Sequence, residues 1–68
     1  MAVSFEVVLD VDGTEQKHSF TCDQQRELMD FWKSVDATGA VNGKAVFAGY
    51  CWQYGDDGER CLLHKFEA

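Results

Sequence analysis

Val7-Val8-Leu9-Asp10-Val11-Asp12-Gly13-Thr14-Glu15-Gln16-Lys17-His18-Ser19-Phe20 is the stretch whose reading decides the fold. Upstream of it the chain already alternates. Val3, Phe5, Val7, Leu9 and Val11 fall on one face of a strand, and Ser4, Glu6, Val8, Asp10 and Asp12 on the other. That is a period of two with one buried side. Asp12-Gly13 supplies the left-handed backbone of a tight hairpin turn, and the chain returns from Glu15 to Thr21. A two-residue turn pairs Val11 with Thr14 and brings Phe5 opposite Phe20. A three-residue turn with Gly13 in a bulge shifts that register. The first is preferred, because it stacks two phenylalanines on the core face.

Beyond Thr21 the period changes. Thr21 or Asp23 can cap a helix, and Thr21-x-x-Gln24 fits a capping box. Leu28, Phe31, Trp32 and Val35 follow at helical spacing with Met29 at the margin, while Asp23, Glu27, Asp30 and Ser34 line the opposite face. Arg26 and Lys33 stand four residues before and three after Asp30, which predicts charge pairing along the helix. Gly39 is a C-terminal stop. Residues 36–43 read as a loop broken by Thr38-Gly39 and Asn42-Gly43. Two strands, near Lys44 to Tyr54 and Glu59 to Glu67, are joined by Gly55-Asp56-Asp57-Gly58. The order ββαββ predicts one α+β domain over residues 1–68, a single antiparallel sheet of about four strands with one helix on one face.

Sixty-eight residues lie near the lower limit for a core without staples, but 46% hydrophobic content with nine aromatics fills a small one. Twelve acids against six bases give a net charge of −6. That disfavours direct binding to nucleic acid or to an anionic membrane, since phosphate contacts need Lys and Arg. A basic partner is attracted instead, and the same charge keeps a small protein soluble. Cys22, Cys51 and Cys61 lack metal-finger spacing and read as small buried thiols of a reducing cytoplasm. Cys51 and Cys61 bridge only if they meet across two strands in an oxidising environment. Met1–Glu6 has no basic head followed by an apolar core, and no apolar run approaches a membrane span. A cytoplasmic protein without metal or cofactor is expected.

One helix covers one sheet face, so the other is polar or meets something. By strict alternation Val46, Ala48, Tyr50, Trp52 and Tyr54 share a side, opposite Ala45, Phe47, Gly49, Cys51 and Gln53. In the last strand Leu62, His64 and Phe66 oppose Cys61, Leu63, Lys65 and Glu67. Either Tyr50, Trp52 and Tyr54 form an outer patch of the kind that marks an interface, or they are the core side, with Phe47 and Cys51 outside. Both readings stay open. The carboxylates fall into three groups: Asp10, Asp12 and Glu15 at the first hairpin, Asp56, Asp57 and Glu59 at the second, and the helix row Asp23, Glu27 and Asp30. Alternate strand residues lie about 6.6 Å apart, and i, i+4 helix neighbours about 6 Å, which resembles the spacing of phosphates along a nucleic-acid strand. Turns also attract Asp and Gly for conformational reasons. An antiparallel sheet with a returning helix puts Asp10, Asp12, Glu15 and Asp36 at one pole and Asp23, Asp56, Asp57 and Glu59 at the other.

Val7 to Thr14 also resembles the first motif of the haloacid-dehalogenase-like phosphatases, an apolar strand followed by Asp-x-Asp-Gly-Thr. That resemblance implies Asp10 as nucleophile, Asp12 as general acid/base, Thr14 on phosphate, a bridging magnesium ion and a doubly wound parallel sheet. Each parallel crossover takes a dozen or more residues, and the chain has room for one helix. The hairpin is therefore the expectation, and no enzyme. In length, charge and compact α+β build, the chain resembles in kind the small acidic inhibitors of phages and mobile elements, including anti-CRISPR proteins. This second resemblance implies a non-catalytic inhibitor of a basic protein or nucleoprotein complex, such as a CRISPR effector. It would act sterically and electrostatically, DNA mimicry included, with Tyr50, Trp52 and Tyr54 as its desolvated centre. The alternative is a homodimeric interaction domain associating through the aromatic sheet face, so the expected state is monomer or homodimer.

Overall fold

The first hairpin closes through the two-residue turn. In the structure, a computed structural model that describes residues 3–67, β1 (Ser4–Val11) pairs antiparallel with β2 (Thr14–Thr21), Val11 opposite Thr14 and Phe5 opposite Phe20. Asp12 and Gly13 both take positive φ, 53° and 85°, the pair of left-handed residues whose twist matches the strands they join. The expected strand face is buried, with Phe5, Val7, Leu9 and Val11 all in the core.

Gln24 then starts the helix by turning back on the hairpin. Its Oε1 accepts from the Thr21 backbone N–H at 2.9 Å, one half of a capping box. A 3-10 turn over Cys22–Gln24 leads into α1 (Gln25–Thr38). Leu28, Trp32 and Val35 bury against the sheet, with Phe31 packed alongside. Gly39 ends the helix in the left-handed region at φ 64°, its N–H donating to Val35 O at 2.7 Å.

The α+β order is as expected, with one addition. Ala40–Val41 form a two-residue strand, β3, inside the segment read as loop, and α1 itself extends to Thr38. Asn42 and Gly43, at φ 50° and 80°, make a second tight turn of the Asp12-Gly13 kind. β3 pairs with the start of β4 (Lys44–Tyr54), and Gly39 O accepts from Val46 N–H at 2.9 Å. β5 (Arg60–Glu67) takes the rest of that edge, so the sheet runs β2-β1-β4 and then β5, with β1 and β4 central.

Two bulges decide the faces. The β1–β4 register shifts between Asp10 and Val11, leaving Phe47 unpaired; the β4–β5 register shifts between Cys51 and Trp52, leaving Leu63 unpaired. One extra residue inverts every side chain beyond it. Val46 is therefore a core residue while Ala48, Tyr50, Trp52 and Tyr54 face away from the helix. Leu62 sits beside Trp52 on the outer face, parted from His64 and Phe66, which face α1. Strict alternation placed Val46 with the tyrosines and Leu62 with His64, and both groupings are corrected.

Gly49, between Leu9 and Phe66 in the register, lies under the Trp32 indole. The indole also stacks on His64 with ring centroids 5.7 Å apart. Of the cysteines only Cys51 is buried; Cys22 and Cys61 are exposed, against the expectation of buried thiols. Cys51 lies opposite His64 and Cys61 opposite Gln53, so the two are diagonal neighbours rather than partners, and both thiols are free. No described helix is long and apolar enough to cross a membrane.

Candidate functional site

The outer sheet face is built in rows, because side chains directly opposite on neighbouring strands stand side by side. Its first row is Glu15, Asp10, Ala48 and Glu67 across β2, β1, β4 and β5. The second is Lys17, Val8, Tyr50 and Lys65. The third is Ser19, Glu6, Trp52 and Leu62, and the fourth Thr21, Ser4, Tyr54 and Arg60. The rows alternate in sign. The first carries three carboxylates and the second two ammonium groups, while the third has one carboxylate and the fourth one guanidinium.

Tyr50, Trp52 and Tyr54 form a half-buried ridge along β4 at the centre of these rows. Tyr50 and Trp52 stack at 6.5 Å between centroids. Arg60 lies over the Trp52 ring at 4.2 Å and Lys65 over Tyr50 at 6.0 Å, within the range of cation–π attraction. The Tyr54 hydroxyl donates to Glu6 Oε1 at 3.1 Å. Leu62 extends the apolar strip and is 45% exposed. The ridge is thus outside, which resolves the open choice of faces.

The acids occupy both ends of a body measuring 36 × 20 × 15 Å along its principal axes. β1 runs antiparallel to β4, Val11 opposite Val46 and Ser4 opposite Tyr54, so the turns at 12–13 and 55–58 lie at opposite ends. Asp10, Asp12 and Glu15 cluster at the first, where Asp10 stands directly opposite Glu15, a like-charge pairing that costs stability. Both line an open depression of about 240 Å³ with Val8, Gly13 and Tyr50. At the other end are Asp56, Asp57 and Glu59, with Asp23 and Glu27 at the start of the helix, all exposed. Asp57 shapes its own turn, because its Oδ1 accepts from Glu59 N–H at 3.0 Å. Asp30 and Asp36 are exposed farther along α1.

Few of these charges are neutralised within the chain. Among the described residues the ion pairs are Lys17–Glu15 at 4.0 Å and Lys65–Glu67 at 2.7 Å. The expected pairing of Asp30 with Arg26 and Lys33 does not form. The hydrogen bond and charge of Lys65 hold the Glu67 carboxyl below the usual carboxylate range, and Glu67 in turn raises Lys65. Burial pushes the Cys51 thiol up. Among the described residues no group of three or more His, Cys, Asp or Glu is placed to hold a metal ion. Asp10 and Asp12 belong to a strand and a hairpin turn of an antiparallel sheet, not to the loop of a parallel one.

Lys17, Arg60, Lys65, Leu62, Glu6 and Glu67 were not singled out from the sequence. Their signal is the cross-strand register, which the two bulges conceal. Compared with known protein families, curated proteins and solved structures, the chain matches none.

Proposed function

We propose that this protein is a non-enzymatic binding module. It occupies a basic surface, of the kind that a nucleic-acid-binding effector such as a CRISPR effector presents, and blocks it sterically and electrostatically. The observation that carries the reading is the end of the molecule at residues 55–59. There Asp56 and Glu59 project from a turn that Asp57 holds in shape, Asp23 and Glu27 share that end, and none of the five acids is ion-paired among the described residues. Carboxylates left open in this way attract Lys and Arg on a partner over a distance and fix its orientation. The opposite end, with Asp10, Asp12, Glu15 and Asp36, offers a second contact, so the body suits a partner with two basic patches.

Capture from a bacterial lysate at low salt, with the wild type against D56K/E59K and D10K/E15K, tests the reading. A basic nucleic-acid-binding complex should be retained by the wild type, be released by salt or competing duplex DNA, and be lost in at least one reversed variant. Retention of the same complex by both reversed variants defeats the proposal.

A further inference from the structure

We infer that the outer sheet face is the seat of a second copy of this chain, packed with its strands antiparallel about a two-fold axis that crosses β4 between Tyr50 and Trp52. This surface is separate from the acidic end at residues 55–59 and shares Asp10 and Glu15 with the other, and the order of its rows carries the inference. Two sheets stacked face to face by two-fold symmetry have two simple choices of axis in the interface plane. An axis along the strands lays each row on itself, β2 over the other copy's β5. Glu15 then meets Glu67 and Lys17 meets Lys65, like charge on like charge in both cases.

An axis across the strands lays the first row on the fourth and the second on the third, each strand over its own copy. Glu67 then faces Arg60, Tyr50 faces Trp52 and the small Ala48 faces the large Tyr54, and symmetry makes each contact twice. Lys65 falls over Leu62, Lys17 over Ser19 and Asp10 over Ser4, so no ion meets its like. The alternation of the rows therefore selects one of the two arrangements, and self-complementarity of this kind is what a two-fold interface requires. The inherent twist of each sheet skews aligned sheets by about 30°. That skew leaves the contacts nearest the axis, Tyr50 on Trp52, in place.

The composition of the face agrees. Its centre holds Tyr50, Trp52 and Tyr54 with Val8 and Leu62, the aromatic anchors that dominate such interfaces; Glu6, Arg60 and Lys65 lie against this ridge, and Asp10, Glu15, Lys17 and Glu67 lie toward the rim. Stacked in this way, the turn at 12–13 of one copy lies beside the turn at 55–58 of the other. Each end of the dimer then carries both acidic groups.

Sedimentation equilibrium of the purified chain tests the inference without any other partner. The wild type should be a dimer that persists in about 1 M salt, where the screening length falls to about 3 Å. Trp52→Ser should leave the circular dichroism unchanged and yield monomer. Arg60→Glu should weaken association by roughly tenfold, on the scale of two exposed ion pairs turned repulsive, and Arg60→Glu/Glu67→Arg should restore it. A wild type that stays monomeric at about 0.1 mM, well above the micromolar Kd of the weaker standard-size interfaces, overturns the proposal. A dimer in which the double reversal gives no rescue overturns the antiparallel arrangement. Loss of lysate capture in D56K/E59K with the dimer intact would show that the two surfaces act separately.

Discussion

Gly49→Ala puts the packing of the helix on the sheet to a quantitative test. A Cβ built at Gly49 meets Leu9 Cδ2 at 2.8 Å, while the nearest Trp32 ring atoms stand at 3.6 Å. The second distance is ordinary contact, and the first is a clash with a side chain that has no solvent exposure. Forcing an extra carbon into a filled core costs about 1–3 kcal/mol. Against this, replacing glycine in a strand gains about 0.5–1 kcal/mol. The balance is a loss of about 1–2 kcal/mol. Leu9→Val removes the atom that clashes, at about 1 kcal/mol for the lost methylene. In that background only the gain of about 0.5–1 kcal/mol from replacing glycine should remain, so a double-mutant cycle from urea unfolding should show a coupling of about 1–3 kcal/mol, the full cost of the clash. Stabilisation of the wild type by Gly49→Ala, or the same cost in both backgrounds, refutes the reasoning.

Three further outcomes follow from other parts of the molecule. A thiol reagent should modify Cys22 and Cys61 in the native protein and reach Cys51 only on unfolding, as their exposure and the raised Cys51 thiol require; counting modified thiols by mass checks this. Gly39→Ala should cost about 1–2 kcal/mol from the left-handed backbone alone, since its Cβ would find Phe66 at an ordinary 3.7 Å, and Gly39→Asn should cost less in the same urea melts. The Lys65–Glu67 pair should support the fold fully above the ordinary glutamate pKa and lose that support as the pH falls through the lowered Glu67 value. At the alkaline side its support is full below the ordinary lysine pKa and is lost as the pH rises through the raised Lys65 value. Glu67→Gln should lower the Lys65 titration toward its usual range, as NMR can follow.

The first hairpin was legible because its register is set locally. Asp12-Gly13 permits a two-residue turn, and that turn fixes every pair from Val11–Thr14 to Phe5–Phe20. The helix was legible because Leu28, Trp32 and Val35 recur at the period of its buried face. The faces of β4 and β5 were not, because period two carries information only until a residue is inserted. Val46 and Tyr50 look equivalent in sequence, yet the bulge at Phe47 sends one to the core and the other to the outer face. Nothing local marks Phe47 or Leu63 as the inserted residue; both bulges are settled by pairing partners distant in the chain. β3 escaped for a related reason, since two residues are too few to show a period. The acids were correctly placed at two ends by topology alone. The placement of Arg60 and Lys65 against the aromatic ridge, and of Lys17 in the same row as Tyr50, needed the register first.

The most direct test of the binding function is a gel shift on the complex captured by the wild-type chain, with a duplex that complex binds. Adding the wild-type protein should abolish the shift and restore free DNA, and the reversed variant that fails in capture should leave the shift intact. A captured complex that keeps its DNA while the protein is bound would contradict the claim that this chain occupies a nucleic-acid site.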